Sequence, residues 1–345
     1  MSSVSEVSPG VWRTVAATAG KHGRGQFTVN AYLVVDGDEA MFVDTAWVYG
    51  STAKHLDDVL AAAGVAPSAV SRIFVTHAHR DHFGWMNHLA ELTGARLWLH
   101  RDEEGTVRSA AGYQGLSLPE AEAWYRSQGV PGDVARAIIV AKVSGPPVDV
   151  SRVTWGASHD LLRVGRRVFE AIPCAGHTNG HTCLFEPDTR LLFTGDALLP
   201  RGHGNPHVTC RPLTMPDPLT AYVEGLEKLR GLGVQRCLPG HGPSVDDAGA
   251  LISGHLSYVA AKLHAVESCL GDGGGTAFDV VRRIPWRGGR RSFGDLVSDE
   301  RFLAFGDVLA RLRRLATLGR STSTYDPIRG VFIQRLVDPR GVGNP

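Results

Sequence analysis

The sequence offers little that would tie it to a membrane, an oxidising compartment or a polyanion. No stretch of about 18 apolar residues occurs, so no membrane span and no membrane partner are expected. The opening "MSSVSEVSPGVWRTV" lacks the basic start and apolar core of a signal peptide. The five cysteines (Cys174, Cys183, Cys210, Cys237, Cys269) are odd in number, scattered and without a CxxC pair, which fits a reducing compartment better than a disulfide framework. Charge of one sign is also missing: 36 Lys+Arg face 35 Asp+Glu, a net charge of +1 that selects no partner. No repeat or low-complexity run stands out. These absences lead to the expectation of a cytoplasmic globular protein, long enough at 345 residues for a sizeable core and more than one structural unit.

What is present alternates. "FTVNAYLVVDG" and "EAMFVDTA" read as two strands joined at Asp36-Gly37-Asp38. "TAKHLDDVLAAAG" reads as a helix stopped by Gly64, followed by the strand "SRIFVT", a helix in "WMNHLAELTG" and the strand "ARLWLH". Strand, helix, strand in this order predicts an α/β layered protein. Glu103 to Pro147 interrupts the rhythm with alanine-rich helical patterns ("PEAEAWYRSQG", "PGDVARAIIVAKV") and is read as an inserted helical segment. Strands resume in "RRVFEAIPC", "HTCLFEP" and "RLLFTGD"; a helix in "PDPLTAYVEGLEKLRGLG" and a strand in "VQRCLPG" follow. Beyond about Ser253 the character changes to helix (roughly His255–Leu270), helix ("TAFDVVRRI"), amphipathic helix ("DERFLAFGDVLARLRRLATLG") and terminal hairpin, the order of a winged-helix unit. Residues 251–345 carry 14 Lys+Arg against 9 Asp+Glu, a mild basic excess.

The chemistry concentrates in "RIFVTHAHRDHFG". His77 and His79 lie two apart on a turn leaving a strand, so both rings can face one point; Asp81 and His82 can serve a second point nearby. Imidazole nitrogens and carboxylate oxygens are the ligands that zinc and similar metals take. Three later segments repeat the pattern of an apolar strand followed by a ligand type and glycine: "AIPCAGHTNGH" with His177, "LLFTGDALL" with Asp196 and "RCLPGHG" with His241. Seven potential ligands on loops after four strands suit a two-metal hydrolytic site.

The ordered set "VDTA", "THAHRDHFG", "GHTNGH", "TGDALL" and "PGHG" resembles the metallo-β-lactamase-fold hydrolase superfamily, and the region after His241 resembles its subset with a C-terminal winged-helix appendage. The resemblance implies an αββα sandwich over residues 1–250, with the helical insert at about 103–147, and a small winged-helix-like domain over 251–345. Carried over residue by residue, it implies that His77, His79 and His177 bind a first metal, that Asp81, His82 and His241 bind a second, and that Asp196 bridges them. Asp44 of "VDTA" matches a carboxylate that supports the ligands from behind. The implied cofactor is a pair of divalent cations, zinc foremost, with iron or manganese as alternatives. A water shared by two cations about 3.5–4 Å apart becomes a hydroxide nucleophile, and the same cations polarise the substrate. Asp81 is also the candidate to accept or return a proton.

His181, four residues after His177, reads as a supporting or packing residue. His203, His207 and Cys210 follow Asp196 on a glycine- and proline-rich loop of the kind that lines active sites; a plain connection is the other reading. Tyr113, Trp124 and Tyr125 of the insert either line a substrate pocket or pack the insert. His55, His88 and His100 read as structural or solvated. The Arg-rich "RRIPWRGGRR" could touch phosphate, though such runs are more often solvated faces.

The substrate is not written in the ligands. Hydrolysis of an acyl compound, whether thioester, lactone or ester, is the leading expectation, with coenzyme A or an acyl carrier protein as the carrier and the apolar content of the insert suiting an organic moiety. A phosphodiesterase or endoribonuclease is the alternative that a basic winged-helix appendage would serve, although Asp and Glu interrupt the presumed recognition helix. In a third reading the appendage acts for dimerisation or partner binding. β-Lactams fit less well, since no export signal is seen.

Overall fold

The computed structural model describes residues 3–18, 27–46, 52–108, 117–140, 149–204, 206–210, 215–271, 273–286 and 288–337. Strands β1 (Ser3–Ser8), β2 (Val11–Thr18), β3 (Phe27–Asp36) and β4 (Glu39–Val43) form an antiparallel meander. Helix α1 (Thr52–Ala63) then crosses over to β5 (Val70–Phe74), which lies parallel to β4. The one-turn helix α2 (Arg80–Phe83) and α3 (Met86–Thr93) lead to β6 (Arg96–His100). After α4 (Glu104–Arg108), α5 (Leu118–Ser127) and α6 (Gly132–Val140), β7 (Val153–Gly156) completes a seven-stranded sheet in the order β1 to β7.

Strands β8 (Leu161–Val164), β9 (Arg167–Pro173), β10 (Thr182–Glu186) and β11 (Leu191–Gly195) zigzag antiparallel. Helix α7 (Pro218–Gly231) carries the chain to β12 (Arg236–Pro239), parallel to β11 at the edge of this second, five-stranded sheet. The helices α8 (Ala248–Leu270), α9 (Ala277–Arg283) and α10 (Ser298–Thr317) and the hairpin β13 (Ser321–Asp326) and β14 (Val331–Leu336) follow in the expected order.

Period-two alternation explains the layering. On β3, Ala31 and Leu33 face helices α1 and α3, while Tyr32 and Val34 face the second sheet; on β4, Ala40 and Phe42 face the helices and Met41 and Val43 the sheet. From the second sheet, Phe169, Leu184 and Phe193 meet them, with Phe193 edge-on to Tyr32 at 5.3 Å. Each side chain of this size fully withdrawn from water contributes about 1.5–3 kcal/mol. On the outer face of the second sheet, residues 224–231 of α7 come close enough that a Cβ on Gly225 would lie 2.9 Å from Cys174 Sγ. Helix, sheet, sheet, helix is the expected αββα sandwich.

The chain divides into two compact units that differ from the predicted division. The first comprises Met1–Arg108, Val148–Gly204 and Glu224–His255; the second comprises Ser109–Pro147, Asn205–Val223 and Leu256–Pro345. The insert, assigned from the sequence to the catalytic domain, thus groups with the C-terminal region. The reason lies in α10, whose buried Phe305 takes Tyr125 of α5 against it at 5.6 Å. The second boundary falls inside α8, at residue 255, because a continuous helix carries no sequence mark of a change of neighbours. No helix among the described residues is long and apolar enough to cross a membrane.

Candidate metal centre

All seven predicted ligands stand at carboxyl ends of strands in the first unit. His77 and His79 occupy the turn after β5, and Asp81 and His82 lie in α2. His177 follows β9, Asp196 follows β11, and His241 follows β12. Their donor atoms gather into two groups, each with its atoms within 4.8 Å of one another: His77, His79, His177 and Asp196, and Asp81, His82 and His241. Asp196 faces both. Its Oδ2 lies 3.4 Å from His177 Nε2, and its Oδ1 lies 3.4 Å from both His82 Nε2 and His241 Nε2.

The outward nitrogens of the rings fix their tautomers. His177 Nδ1 faces the carbonyl of Gly204, His241 Nδ1 faces that of Thr28 at 2.6 Å, and His82 Nδ1 faces Asp44 Oδ2 at 2.7 Å. These partners only accept, so each Nδ1 donates and, in the neutral ring, each Nε2 keeps a lone pair that a cation can take. His77 Nδ1 lies 3.0 Å from Thr76 Oγ1, whose own proton goes to Asp44 Oδ2, so the same logic holds there. The lone pairs of His77 Nε2 and His177 Nε2 therefore converge on His79 Nδ1, at 3.0 and 2.9 Å. One nitrogen cannot donate to both. In the second group His82 Nε2 and Asp196 Oδ1 are buried with no hydrogen-bond partner among the described residues. Buried acceptors turned on one another are costly unless a cation sits between them. The donor set fits divalent cations.

The electrostatics agree. Burial, reinforced by the neighbouring histidines, holds His77 well below the usual imidazole range and so neutral. Burial works against ionising Asp81, yet His82 and His241 bring its carboxyl down to about 2. Burial likewise disfavours charged His82 and His241, but Asp196 and the other carboxylates outweigh it and push them up to about 9 and about 11: protons are held where a cation would serve.

Asp44 is the knot behind the centre. It is 2 % exposed and sits at φ 61°, a strained region for aspartate. Its Oδ1 accepts from Thr76 N (2.8 Å), and its Oδ2 accepts from Thr76 Oγ1 and His82. His181 Nε2 accepts from the backbone N–H of Asp196 at 3.0 Å; burial holds its ring neutral, at about 3. The other candidates are not members of the two donor groups. His203 lies against His255 within the first unit, the rings tilted at 51° with centroids 5.0 Å apart. His207 lies in the second unit against Phe302, at 5.7 Å. There too, Trp124 and Tyr125 pack beside Phe305, and Tyr125, 2 % exposed, is a core residue. Tyr113 lies outside the described residues.

Comparison with known proteins identifies the family. The family model of the metallo-beta-lactamase superfamily matches residues 24–241. The chain belongs to that superfamily. A metallo-beta-lactamase family protein of Thermus thermophilus shares the fold with a TM-score of 0.72 at 23% identity, over 96% of this chain and 100% of that one. An atrochrysone carboxyl ACP thioesterase of Aspergillus aculeatus is 24% identical over 270 residues, 77% of this chain and 66% of the relative. An acyl-coenzyme A thioesterase of Gallus gallus is 26% identical over 226 residues, 61% of this chain and 72% of the relative.

This superfamily member also uses residues that its sequence does not advertise. Asn30 Nδ2 donates to the carbonyls of Pro239 and Gly242, both at 2.8 Å, and Tyr32 Oη donates to Pro239 O at 2.7 Å. Together they hold the loop that presents His241. Burial pushes the Tyr32 hydroxyl far above its ordinary range, keeping it a donor. Glu103, fully buried, does comparable work on the other side of the centre. Polar residues inside apolar strands are the one available signal for Asn30.

Proposed function

We propose that this metal-dependent hydrolase is a thioesterase that releases an acyl group from coenzyme A or an acyl carrier protein, using two divalent cations, zinc foremost. The observation that carries this reading is the convergence of seven donors into two groups that share Asp196. His77, His79 and His177 would hold one cation and Asp81, His82 and His241 the other, with one oxygen of Asp196 turned to each. Divalent cations bound there supply Lewis acidity to the scissile carbonyl and lower the pKa of water. In this reading Asp81, held as a carboxylate, is the residue that would accept a proton during the reaction.

Two considerations favour a thioester. A thiol of ordinary pKa, about 8.5, leaves as thiolate without a proton donor. The two carboxyl groups facing the centre, Asp81 and Asp196, both lie below the usual carboxylate range, so neither holds a proton for the leaving group before attack. Two thioesterases similar to this chain act, by their names, on ACP- and coenzyme A-linked substrates.

The test is a parallel assay of metal-loaded protein on acyl-coenzyme A, acyl-ACP, lactone, phosphodiester and short RNA panels, with His77→Ala as control. Thiol release that is lost in the control is the expected result. RNA or phosphodiester cleavage without thioester turnover would overturn the reading. Metal analysis after reconstitution should give two equivalents, and fewer than one would remove its basis.

A further inference from the structure

The first three-histidine group is built from two loops that meet only in space. The turn after β5 carries His77 and His79, and the loop after β9 carries His177. Glu103, in the short 3₁₀ turn Arg101–Glu103 that ends β6, lies between them and is fully buried. Its Oε2 accepts from the N–H of Ala78, the residue between the two histidines, at 3.2 Å. Its Oε1 accepts from the N–H of Gly180 at 2.7 Å and from the hydroxyl of Thr178, the residue after His177. The loop is fitted closely to this carboxylate: a Cβ on Gly180 would lie 2.9 Å from Glu103 Cγ and 3.1 Å from its backbone nitrogen.

These three partners all donate, and only a carboxylate accepts at both ends. We propose that Glu103 is a positioning residue for the three-histidine metal site, its two oxygens setting the spacing between the His77–His79 turn and the His177 loop. Asp81 and His82 stand on α2 and His241 on the loop after β12, beyond the two segments that these bonds join, so the effect of Glu103 falls on one site of the two. The inference rests on the reading that the cluster binds divalent cations.

The test separates the sites. In an Asp81→Ala, His241→Ala background only the three-histidine site remains; in a His77→Ala, His79→Ala background only the other does. Cobalt(II) affinity is measured in each by chelator competition, with and without Glu103→Gln. The glutamine turns an amide N–H₂ toward one of the donors and removes the charge. The expected result is a loss of about 10–100-fold in the first background, the range typical of residues that orient metal ligands, and a change under about twofold in the second.

Equal losses in both backgrounds would make Glu103 a general structural residue, and no loss in the first would refute the clamp; either overturns the proposal. Should Glu103→Gln fail to fold, Thr178→Val removes one of the three donors and is expected to weaken the same site alone, with equal or absent effects counting against the clamp in the same way. Failure of the unsubstituted protein to take up two cobalt ions would instead sink the two-metal reading itself, a result that the Glu103 variants do not produce.

Discussion

Asp44 joins more of the centre than any ligand does, because one carboxylate serves Thr76, through it His77, and also His82. Asp44→Asn keeps the shape but offers an amide N–H₂ where an acceptor is needed. We expect metal affinity to fall about 10–100-fold, read by chelator competition, with wild-type affinity refuting the role. Gly240 is constrained by space: a Cβ there would lie 2.5 Å from His82 Cε1 and 2.7 Å from Asp196 Oδ1. Gly240→Ala must shift those groups, and displacements approaching 1 Å cost on the order of 100-fold in rate. Turnover should drop by that order in steady-state assays, while the melting temperature moves little. The seven donors that gather in the two groups were legible in the sequence because histidine and aspartate after an apolar strand are chemically distinctive. Glu103 was not, because its partners Ala78 and Gly180 lie 25 and 77 residues away and nothing local marks the meeting.

Among the elements, strands rich in buried apolar residues were readable and those with polar or half-exposed positions were not. β3, β5, β10 and β11 follow the expected runs, whereas β1, β7 and β8 carry polar or half-exposed positions that mimic loop. Helix α8 begins at Ala248, before the expected start near His255, since "AGALISG" carries glycine that lowers helix propensity until packing overrides it. Helix α10 hides a different feature. Arg311, 2 % exposed, pairs with Asp307 one turn earlier and also takes its backbone oxygen at 2.9 Å. Burial pushes the Asp307 carboxyl up even though Arg311 pulls it down. Desolvation is therefore a large part of this pair's balance. Asp307→Ala should cost roughly 3–5 kcal/mol by leaving a buried guanidinium alone, while Asp307→Leu with Arg311→Met should be near neutral. Urea denaturation of both variants decides this; equal losses would mean that the pair itself carries the stability.

At the scale of the whole chain, the two units differ in what metal can do for them. Each of the seven clustered donors, with Asp44, Thr76, Glu103 and His181 beside them, belongs to the first unit. Cations bound only by the folded state stabilise it by about 2.7 kcal/mol at a free concentration 100 times Kd. Removing them also leaves the lone pairs of His77 Nε2 and His177 Nε2 turned together on His79 Nδ1. Chelation should therefore lower the melting temperature, and zinc should restore it. Hydrogen exchange locates the effect. After chelation, amides around residues 76–84, 174–182, 194–198 and 239–242 should lose protection, because their loops are held in part by the cations. Amides of α10, which packs on Tyr125 within the second unit, should keep theirs. If α10 loses protection to the same extent, the units open as one cooperative body, and metal binding stabilises the whole chain rather than the sandwich that carries the ligands.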